Sequence, residues 1–366
     1  MLAFLSIKKW GAFVISAVFL CLSFQTQVEA QQLQQTIKLR VGGPHTPEGA
    51  PWVKFIQDIF IPDIKAGAGK LGYNVEFVET WGGSVTKMNE TSTTIQGRIL
   101  DISYITFPAE GSKFPLHNFH YWIPFGNSDP VVTYKASKAV YEEFPILTQS
   151  IERRFGQKLL AISTVQDYGI VSSFPIKGLA DLKGHKLGGV GPMLDYVRFA
   201  NGVPVNAGMP EMYMNIQSGV TEGHMILPQA VVGARLWEVA KNWTSSQFGS
   251  TCPHGLSINL DTWKSIPVPI QAIIQKAADR WAESLAKNAK DTEEADLKKW
   301  RESGGSVTVL AQSEKEKWAA LFPNNYASEK IKKVNDAGLP GTKVMESYLK
   351  NLEKLGYVPS RKWVLE

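Results

Sequence analysis

The sequence predicts an α/β protein made of two lobes that a long helix connects. Strand and helix patterns alternate at short spacing near the N-terminus, and the same alternation begins again after residue 158. An apolar stripe at helical spacing then continues for longer than an ordinary helix. A chain of 366 residues is long enough for two such halves, and its 11 tryptophans favour a packed globule over a disordered chain.

The first half begins with a strand pattern. Residues 37–41 alternate between apolar and polar side chains, and they run into the turn residues 42–44. The patterns of a helix, a strand, a helix and a strand follow over residues 52–69, 73–78, 87–97 and 99–105. Elements in this order predict a parallel sheet with helices on its faces.

The second half repeats this alternation. Strand patterns occur over residues 158–164, 169–173, 186–190 and 255–259. Between residues 181 and 244 the sequence predicts a short strand with a glycine-rich end, a helix, a second helix that begins at Pro210, a glycine turn and another helix.

A long helical stripe follows the last of these strands. Ile273, Ala277, Trp281 and Leu285 recur at four-residue intervals, and a helix of this length is expected to bridge two lobes. Two α/β halves joined by chain crossings are typical of periplasmic binding proteins, which close like a hinge on a ligand. We therefore predict a type II-like arrangement of two lobes. Its first lobe is predicted to contain residues 31–161 and 252–290, and its second lobe residues 162–251 and 291–366.

Residues 1–30 predict a cleaved export signal and hence a periplasmic protein. Lys8 and Lys9 form a charged start, an apolar run covers residues 10–24, and small residues follow. A membrane anchor is the alternative, but this run is shorter than the roughly 20 residues that span a bilayer. A lipid anchor at Cys21 is a further alternative, although no small residue stands directly before it.

Charge and cysteine content narrow the possible functions. The net charge of +5 is small, and basic residues alternate with acidic ones, so neither nucleic acid nor an anionic membrane surface is predicted as a partner. After cleavage Cys252 is the remaining cysteine, so stability must come from a packed core and not from a disulfide.

Several segments resemble, in the same order, those of the solute-binding proteins of TRAP transporters, the DctP type. The first is a Gly-Gly turn in residues 79–85, and the second is a helix that ends at a glycine and is followed by a strand, in residues 95–102. The others are Ile-Pro-Phe in residues 123–125, the start of a long helix in residues 263–278, and a late strand in residues 304–310. The resemblance implies a monomeric receptor that captures a small organic acid and delivers it to the membrane subunits of a TRAP permease. It implies neither a cofactor nor an enzymatic reaction.

The sequence departs from this family at the positions that are expected to hold the ligand. Where the family commonly has an arginine that binds the substrate carboxylate, this chain has Gly188. Where the family commonly has an asparagine, it has Ile226, and His224 stands where glutamine is frequent. We expect these changes to open space and to make the wall of the cleft more apolar.

Aromatic side chains are the second group of candidate ligand contacts. Trp81, Tyr104, Trp122, Tyr168 and Tyr196 occur at positions expected to face the cleft, with core packing as the alternative for each. The remaining candidates are the backbone of Gly188 and Gly189, which could approach an anion closely, together with Met209, His224 and Ile226. These residues favour a bulky or aromatic monocarboxylate; a short dicarboxylate or keto acid held by another cation is the alternative.

Other patterns give weaker indications. His117 and His120 are spaced like metal ligands, but no third ligand occurs at a useful spacing, so no metal site is predicted. The glycines of residues 188–191 lack the lysine and serine of a nucleotide-binding loop. Cys252 has only a neighbouring histidine in sequence, which is poor evidence for a catalytic pair. An enzyme or a sensor on the same scaffold remains an alternative to a transport receptor.

Overall fold

The computed structural model describes residues 35–359 and 361–366, so the predicted signal peptide and Cys21 lie outside the described residues. Within this range the chain forms two β-sheets with helices packed on them. None of the described helices combines the length and the apolar character needed to cross a membrane.

The first sheet has five strands in the order β2-β1-β3-β10-β4. Its strands are β1 (Gln35–Gly42), β2 (Tyr73–Thr80), β3 (Ile102–Thr106), β4 (Gln157–Ser163) and β10 (His254–Asn259). β1 pairs in parallel with β2 and β3, as the sequence predicted, whereas β10 lies antiparallel between β3 and β4. All six residues of β10 are buried, because it is an interior strand of the sheet.

The second sheet has six strands in the order β11-β9-β5-β8-β6-β7. Its strands are β5 (Gly169–Ser172), β6 (Lys186–Gly189), β7 (Val203–Asn206), β8 (Gly223–Ile226), β9 (Asn242–Ser245) and β11 (Ser306–Val309). β6 pairs in parallel with β7 and β8, while β5 is antiparallel to β8 and β9.

Thirteen α-helices of the described chain cover these sheets. They are α1 (Pro51–Phe55), α2 (Ile61–Gly69), α3 (Thr91–Gln96), α4 (Pro130–Glu143), α5 (Ile146–Phe155), α6 (Met193–Phe199), α7 (Met212–Gln217), α8 (Pro228–Gly233), α9 (Leu260–Ser265), α10 (Val268–Glu302), α11 (Gln312–Leu321), α12 (Tyr326–Asp336) and α13 (Gly341–Lys354). A π-helical turn, Ile56–Phe60, connects α1 directly to α2.

The long helix α10 bridges the two lobes, as predicted. It packs against α2 and β4 beside the first sheet and against α8 and β11 of the second. Ala277, Trp281 and Leu285 of the predicted stripe are buried along it. The fold is therefore the predicted two-lobed α/β arrangement, and the two sheets face each other across a cleft. α13 returns to pack against α4 of the first lobe; the exact lobe boundaries remain a prediction.

The sequence prediction was wrong in parts of the second lobe. The segment Gly223–Ile226 was expected to be a turn leading into a helix, but it is the buried strand β8. β7 and β9 were also not predicted. β7 contains Pro204, and β9 begins with Asn242 and ends with Ser245, and residues of these types count against a strand in a sequence.

Candidate ligand-binding cleft

The cleft lies where strand ends of the two sheets meet. In the first sheet His254, at the start of β10, pairs with Thr106 of β3 and with Ser163 of β4. In the second sheet Gly169 of β5 pairs with Ile226 of β8. The cavity between these edges has a volume of about 50 Å³. Residues of both lobes line it, so a bound molecule would contact both.

Aromatic and imidazole rings form the wall that the first lobe contributes. The ring centres of Trp52 and His254 are 4.3 Å apart, and those of His45 and Trp52 are 5.3 Å apart. Trp52 is held from behind, because its carbonyl oxygen accepts a hydrogen bond from the Trp281 indole N–H at 2.9 Å. Met88, Thr106, Pro108 and Pro253 complete this wall.

Tyr104, one of the predicted contacts, lies behind His45 and not at the surface of the cleft. Its hydroxyl accepts a hydrogen bond from the His45 backbone N–H at 3.1 Å and lies 2.8 Å from His45 Nδ1. Because the backbone N–H already donates to the hydroxyl oxygen, the hydroxyl proton has Nδ1 as its acceptor, and this geometry favours the His45 tautomer with its proton on Nε2.

Both imidazoles of this wall are uncharged at neutral pH. Burial lowers the pKa of His45 to about 3, and it lowers the pKa of His254 well below its ordinary value, with the nearby His45 adding to the effect. His254 Nδ1 lies 3.0 Å from the Ser163 hydroxyl. Among the described residues that line the cleft there is no lysine, arginine, aspartate or glutamate.

The second lobe contributes a wall built around His224, which lines the cavity, whereas the predicted contact Gly188 lies beneath its ring and does not line the cavity. These residues are neighbours on β8 and β6, and the imidazole lies over the glycine. A Cβ atom added at Gly188 would be only 2.4 Å from His224 Cδ2. The space expected from the absence of an arginine is therefore filled by an imidazole. His224 Nε2 lies 3.0 Å from the Ala207 carbonyl oxygen, and Nδ1 lies 2.9 Å from that of Met225.

Three other predicted contacts, Tyr168, Met209 and Ile226, line the same cavity. Tyr168 also borders a smaller adjoining cavity that contains Tyr196, another predicted contact. The Tyr196 hydroxyl accepts a hydrogen bond from the Phe125 N–H and donates one to the Phe248 carbonyl oxygen, so it is fully engaged there.

The remaining predicted contacts lie elsewhere. Trp81 is half-buried beyond the end of the edge strand β2, and its indole N–H donates to Glu79 at 2.8 Å. Trp122 belongs to the buried core. Gly189 packs against Met193, whose Cβ atom would be 3.3 Å from an added Cβ. None of these three residues lines the cleft.

Glycines allow the two lobes to touch at the rim of the cleft. An added Cβ at Gly191 would lie 2.4 Å from the Pro108 carbonyl oxygen, and one at Gly233 would lie 2.4 Å from the Gly49 Cα. Each pair joins the second lobe to the first. Gly191 also has a φ of +53°, which other residues rarely adopt. The structure is therefore a closed form of the two lobes.

Two chain crossings connect the lobes beside this cleft. They are hydrogen-bonded to each other: the Ser250 hydroxyl donates to the Val165 carbonyl oxygen at 2.6 Å, and the Gly249 N–H donates to Asp167 Oδ1 at 2.7 Å. Burial raises the pKa of Asp167 to about 7, and the charge of Glu293 on α10 adds to the effect.

This hinge carboxyl predicts a pH-dependent stability. Its pKa is higher in the folded than in the unfolded chain, so its contribution to stability is full below about pH 4 and is lost as the pH rises towards 7. We expect Asp167→Asn, which retains the acceptor for Gly249, to be more stable than the parent protein at pH 8 by up to about 4 kcal/mol, and by much less at pH 5. Thermal unfolding of both proteins at the two pH values measures this. Equal differences at pH 5 and pH 8 would contradict it.

The other reactive side chains singled out in the sequence are buried in the core. His117 Nδ1 lies 2.7 Å from the Tyr141 hydroxyl, and His120 Nε2 lies 2.7 Å from the Ser137 hydroxyl. Burial raises the pKa of Cys252 to about 11, which leaves it a protonated thiol. No group of three His, Cys, Asp or Glu side chains suited to a metal ion occurs within the described residues.

A larger groove lies away from the cleft, between α11, the loop around Asn127 and the C-terminal residues near Arg361. It is open to solvent, and none of the predicted ligand contacts lines it.

Sequence analysis missed His45, Trp52, Thr106 and His254, which form the first-lobe wall. The one signal in the sequence was position, since Thr106 ends β3 and His45 follows β1 by three residues, and α/β proteins bind ligands beyond the ends of their strands.

Two lobes that close over a largely apolar cleft are the arrangement of a solute-binding protein. The sequence profile of the DctP family, described as bacterial extracellular solute-binding protein family 7, matches residues 82–333. The match spans more than half of the chain, and the chain belongs to this family. It is a solute receptor and not an enzyme. A comparison with curated protein sequences gave no significant match.

Solved structures of similar fold include three receptors with different ligands. The extracytoplasmic solute receptor DctP7 of Bordetella pertussis, which binds pyroglutamic acid, superposes with a TM-score of 0.74 at 18% identity, covering 86% of this chain and 99% of its own. A TRAP solute-binding protein of Rhodoferax ferrireducens with copurified benzoate has a TM-score of 0.76 at 13% identity, covering 87% and 98%. A marine metagenome TRAP solute-binding protein specific for aromatic acids has a TM-score of 0.77 at 18% identity, covering 88% and 100%. At these identities the likeness concerns the fold.

Proposed function

We propose that this receptor works in the periplasm as a monomer, captures an organic acid between its lobes and delivers it to the membrane subunits of a TRAP permease. The observation that supports this most directly is the cleft itself, which both lobes line and which glycine contacts close at the rim. A molecule held there is shielded from water, and its contacts with both walls stabilise the closed form. The closed surface is then what a permease would recognise.

The preferred ligand is a bulky or aromatic monocarboxylate. Trp52 and Tyr168 offer flat apolar faces on opposite walls, and the side chains of Met209 and Ile226 extend this surface. Solved relatives with bound benzoate or 3-hydroxybenzoate are consistent with this choice. A short dicarboxylate is disfavoured, because a second carboxylate would have no cation to pair with among the described residues of the cleft. A short keto acid is disfavoured for a different reason, since it offers little apolar surface to these side chains.

A thermal-shift screen of the mature protein tests this function. A ligand that binds only the folded state raises the melting temperature, by an amount that grows with its concentration. We expect aromatic monocarboxylates to raise it and short dicarboxylates to have little effect. Shifts with dicarboxylates alone would contradict the ligand class, and the absence of a shift with any acid would contradict the acid receptor altogether.

Tyr168 is expected to contribute strongly to affinity. Tyr168→Ala removes a buried ring from the wall of the cleft and should weaken binding of the acid found in the screen by about tenfold or more in a calorimetric titration. Tyr168→Phe, which keeps the ring, should retain most of the affinity. Trp81→Ala is the matched control, because Trp81 lies outside the cleft. Equal effects of Tyr168→Ala and Trp81→Ala would rule out a role of the Tyr168 ring.

A further inference from the structure

The two walls of the cleft differ in how many of their polar groups already have hydrogen-bond partners within the protein. On the second-lobe wall both ring nitrogens of His224 lie close to backbone carbonyl oxygens, at 2.9 and 3.0 Å. Burial lowers the pKa of His224, so the uncharged ring has a single N–H, and one of these carbonyl oxygens accepts it. Gly188 has no side chain to offer, and the His224 ring covers it. This wall therefore has little left with which to bind a negatively charged group.

On the first-lobe wall, two polar groups are buried without a partner. The Trp52 indole nitrogen and the Thr106 hydroxyl have no hydrogen-bond partner among the described residues. Trp52 is 4% exposed and Thr106 3% exposed, and both line the cleft. The Trp52 N–H lies near the Tyr104 hydroxyl but not in hydrogen-bond geometry with it. A buried polar group without a partner is costly, and most such groups in proteins are satisfied by water or a ligand.

The imidazole of His45 adds a third donor to this wall. Because its Nδ1 accepts the Tyr104 proton, its Nε2 carries a proton of its own. Its ring centre is 5.3 Å from that of Trp52. Indole N–H, hydroxyl and imidazole N–H are all able to donate to oxygen, so this part of the cleft is a cluster of uncharged donors.

We propose that the first lobe binds the ligand carboxylate through Trp52, Thr106 and His45, with the apolar body of the ligand directed at the second lobe. The inference rests on the proposed function as a receptor for acids. It places the carboxylate on the wall opposite Gly188, where the family resemblance would put an arginine. Several hydrogen bonds from neutral donors can stabilise a carboxylate without a cation, because each bond to a charged oxygen is stronger than one between neutral groups.

The test compares benzoate with its uncharged analogue benzamide by calorimetric titration. Thr106→Val removes only the hydroxyl and keeps the shape of the side chain, so the ligand-free protein should melt at the same temperature or higher. We expect this variant to bind benzoate about ten- to a hundredfold more weakly and to change benzamide binding less than threefold. Trp52→Phe should show the same selectivity. Thr221→Val is the matched control, because Thr221 also has a buried hydroxyl without a partner but lies outside the cleft.

The results separate this inference from the function on which it rests. If the parent protein binds benzoate and both Thr106→Val and Trp52→Phe leave that affinity unchanged, the carboxylate is not on the first lobe and the inference fails alone. Selective loss of benzoate binding in His224→Gln, without loss in the first-lobe variants, would instead put the carboxylate on the second lobe. If no acid binds the parent protein, the proposed function fails and this inference with it.

Discussion

Replacing Gly233 by alanine is expected to weaken ligand binding at least about a hundredfold while the protein stays folded. The new Cβ atom would lie 2.4 Å from the Gly49 Cα and 2.5 Å from the Glu48 carbonyl oxygen, which are backbone atoms of the opposite lobe. Backbone atoms cannot rotate away as a side chain can, so the lobes must stay apart. The ligand then loses its contacts with one whole wall of the cleft. A loss of about 2.8 kcal/mol of binding free energy is enough to raise the dissociation constant a hundredfold.

Calorimetric titration with the acid found in the thermal-shift screen measures this loss. Small-angle scattering at saturating ligand should also give a larger radius of gyration than that of the parent protein. Gly69→Ala is the control, because it makes the same replacement on helix α2 where no atom lies within 4 Å of the new Cβ. Binding by Gly233→Ala within a factor of two of the parent protein would show that this contact does not control closure.

Restoring an arginine at position 188 is expected to destabilise the second lobe instead of improving binding. Any Cβ atom there would lie 2.4 Å from His224 Cδ2 and 2.8 Å from Nε2. The ring cannot move freely, because both of its nitrogens contact backbone carbonyl oxygens. Overpacking of this kind costs about 1–3 kcal/mol, so Gly188→Arg and Gly188→Ala should both lower the melting temperature by several degrees.

A second replacement separates this clash from a general intolerance of side chains at position 188. Gly188→Arg combined with His224→Ala removes the ring that the arginine meets, so the two changes should destabilise less together than the sum of their separate effects. Thermal or urea unfolding of the two single variants and the double variant gives this comparison. Additive effects would mean that the imidazole does not compete with a side chain at position 188.

The architecture could be predicted from the sequence wherever elements are long or regular. The first strand and the stripe through Trp281 were found because alternation and helical spacing persist over enough residues. β8 was not found, because it begins at Gly223, and a glycine at that point indicates a turn. The antiparallel position of β10 could not be predicted either, since it depends on which strands pair and not on the local pattern.

The site was harder to predict than the fold for the same reason. Thr106 and His254 lie far apart in sequence and meet only because β10 pairs with β3. Trp81 was expected in the cleft because it follows a strand, but that strand is β2, at the outer edge of the sheet. The pairing of Gly188 with His224 explains two of the three departures from the family pattern together, and only the register of β6 and β8 reveals it.

The position of β10 also constrains the order in which the chain can fold. The first sheet stays incomplete until residues 254–259 insert between β3 and β4, whereas five of the six strands of the second sheet lie within residues 169–245. Pairing between distant segments is slow, because a long loop must close before the contacts form. A nascent or truncated chain that ends near residue 250 would expose the facing edges of β3 and β4 to other chains, and such unpaired edges favour aggregation.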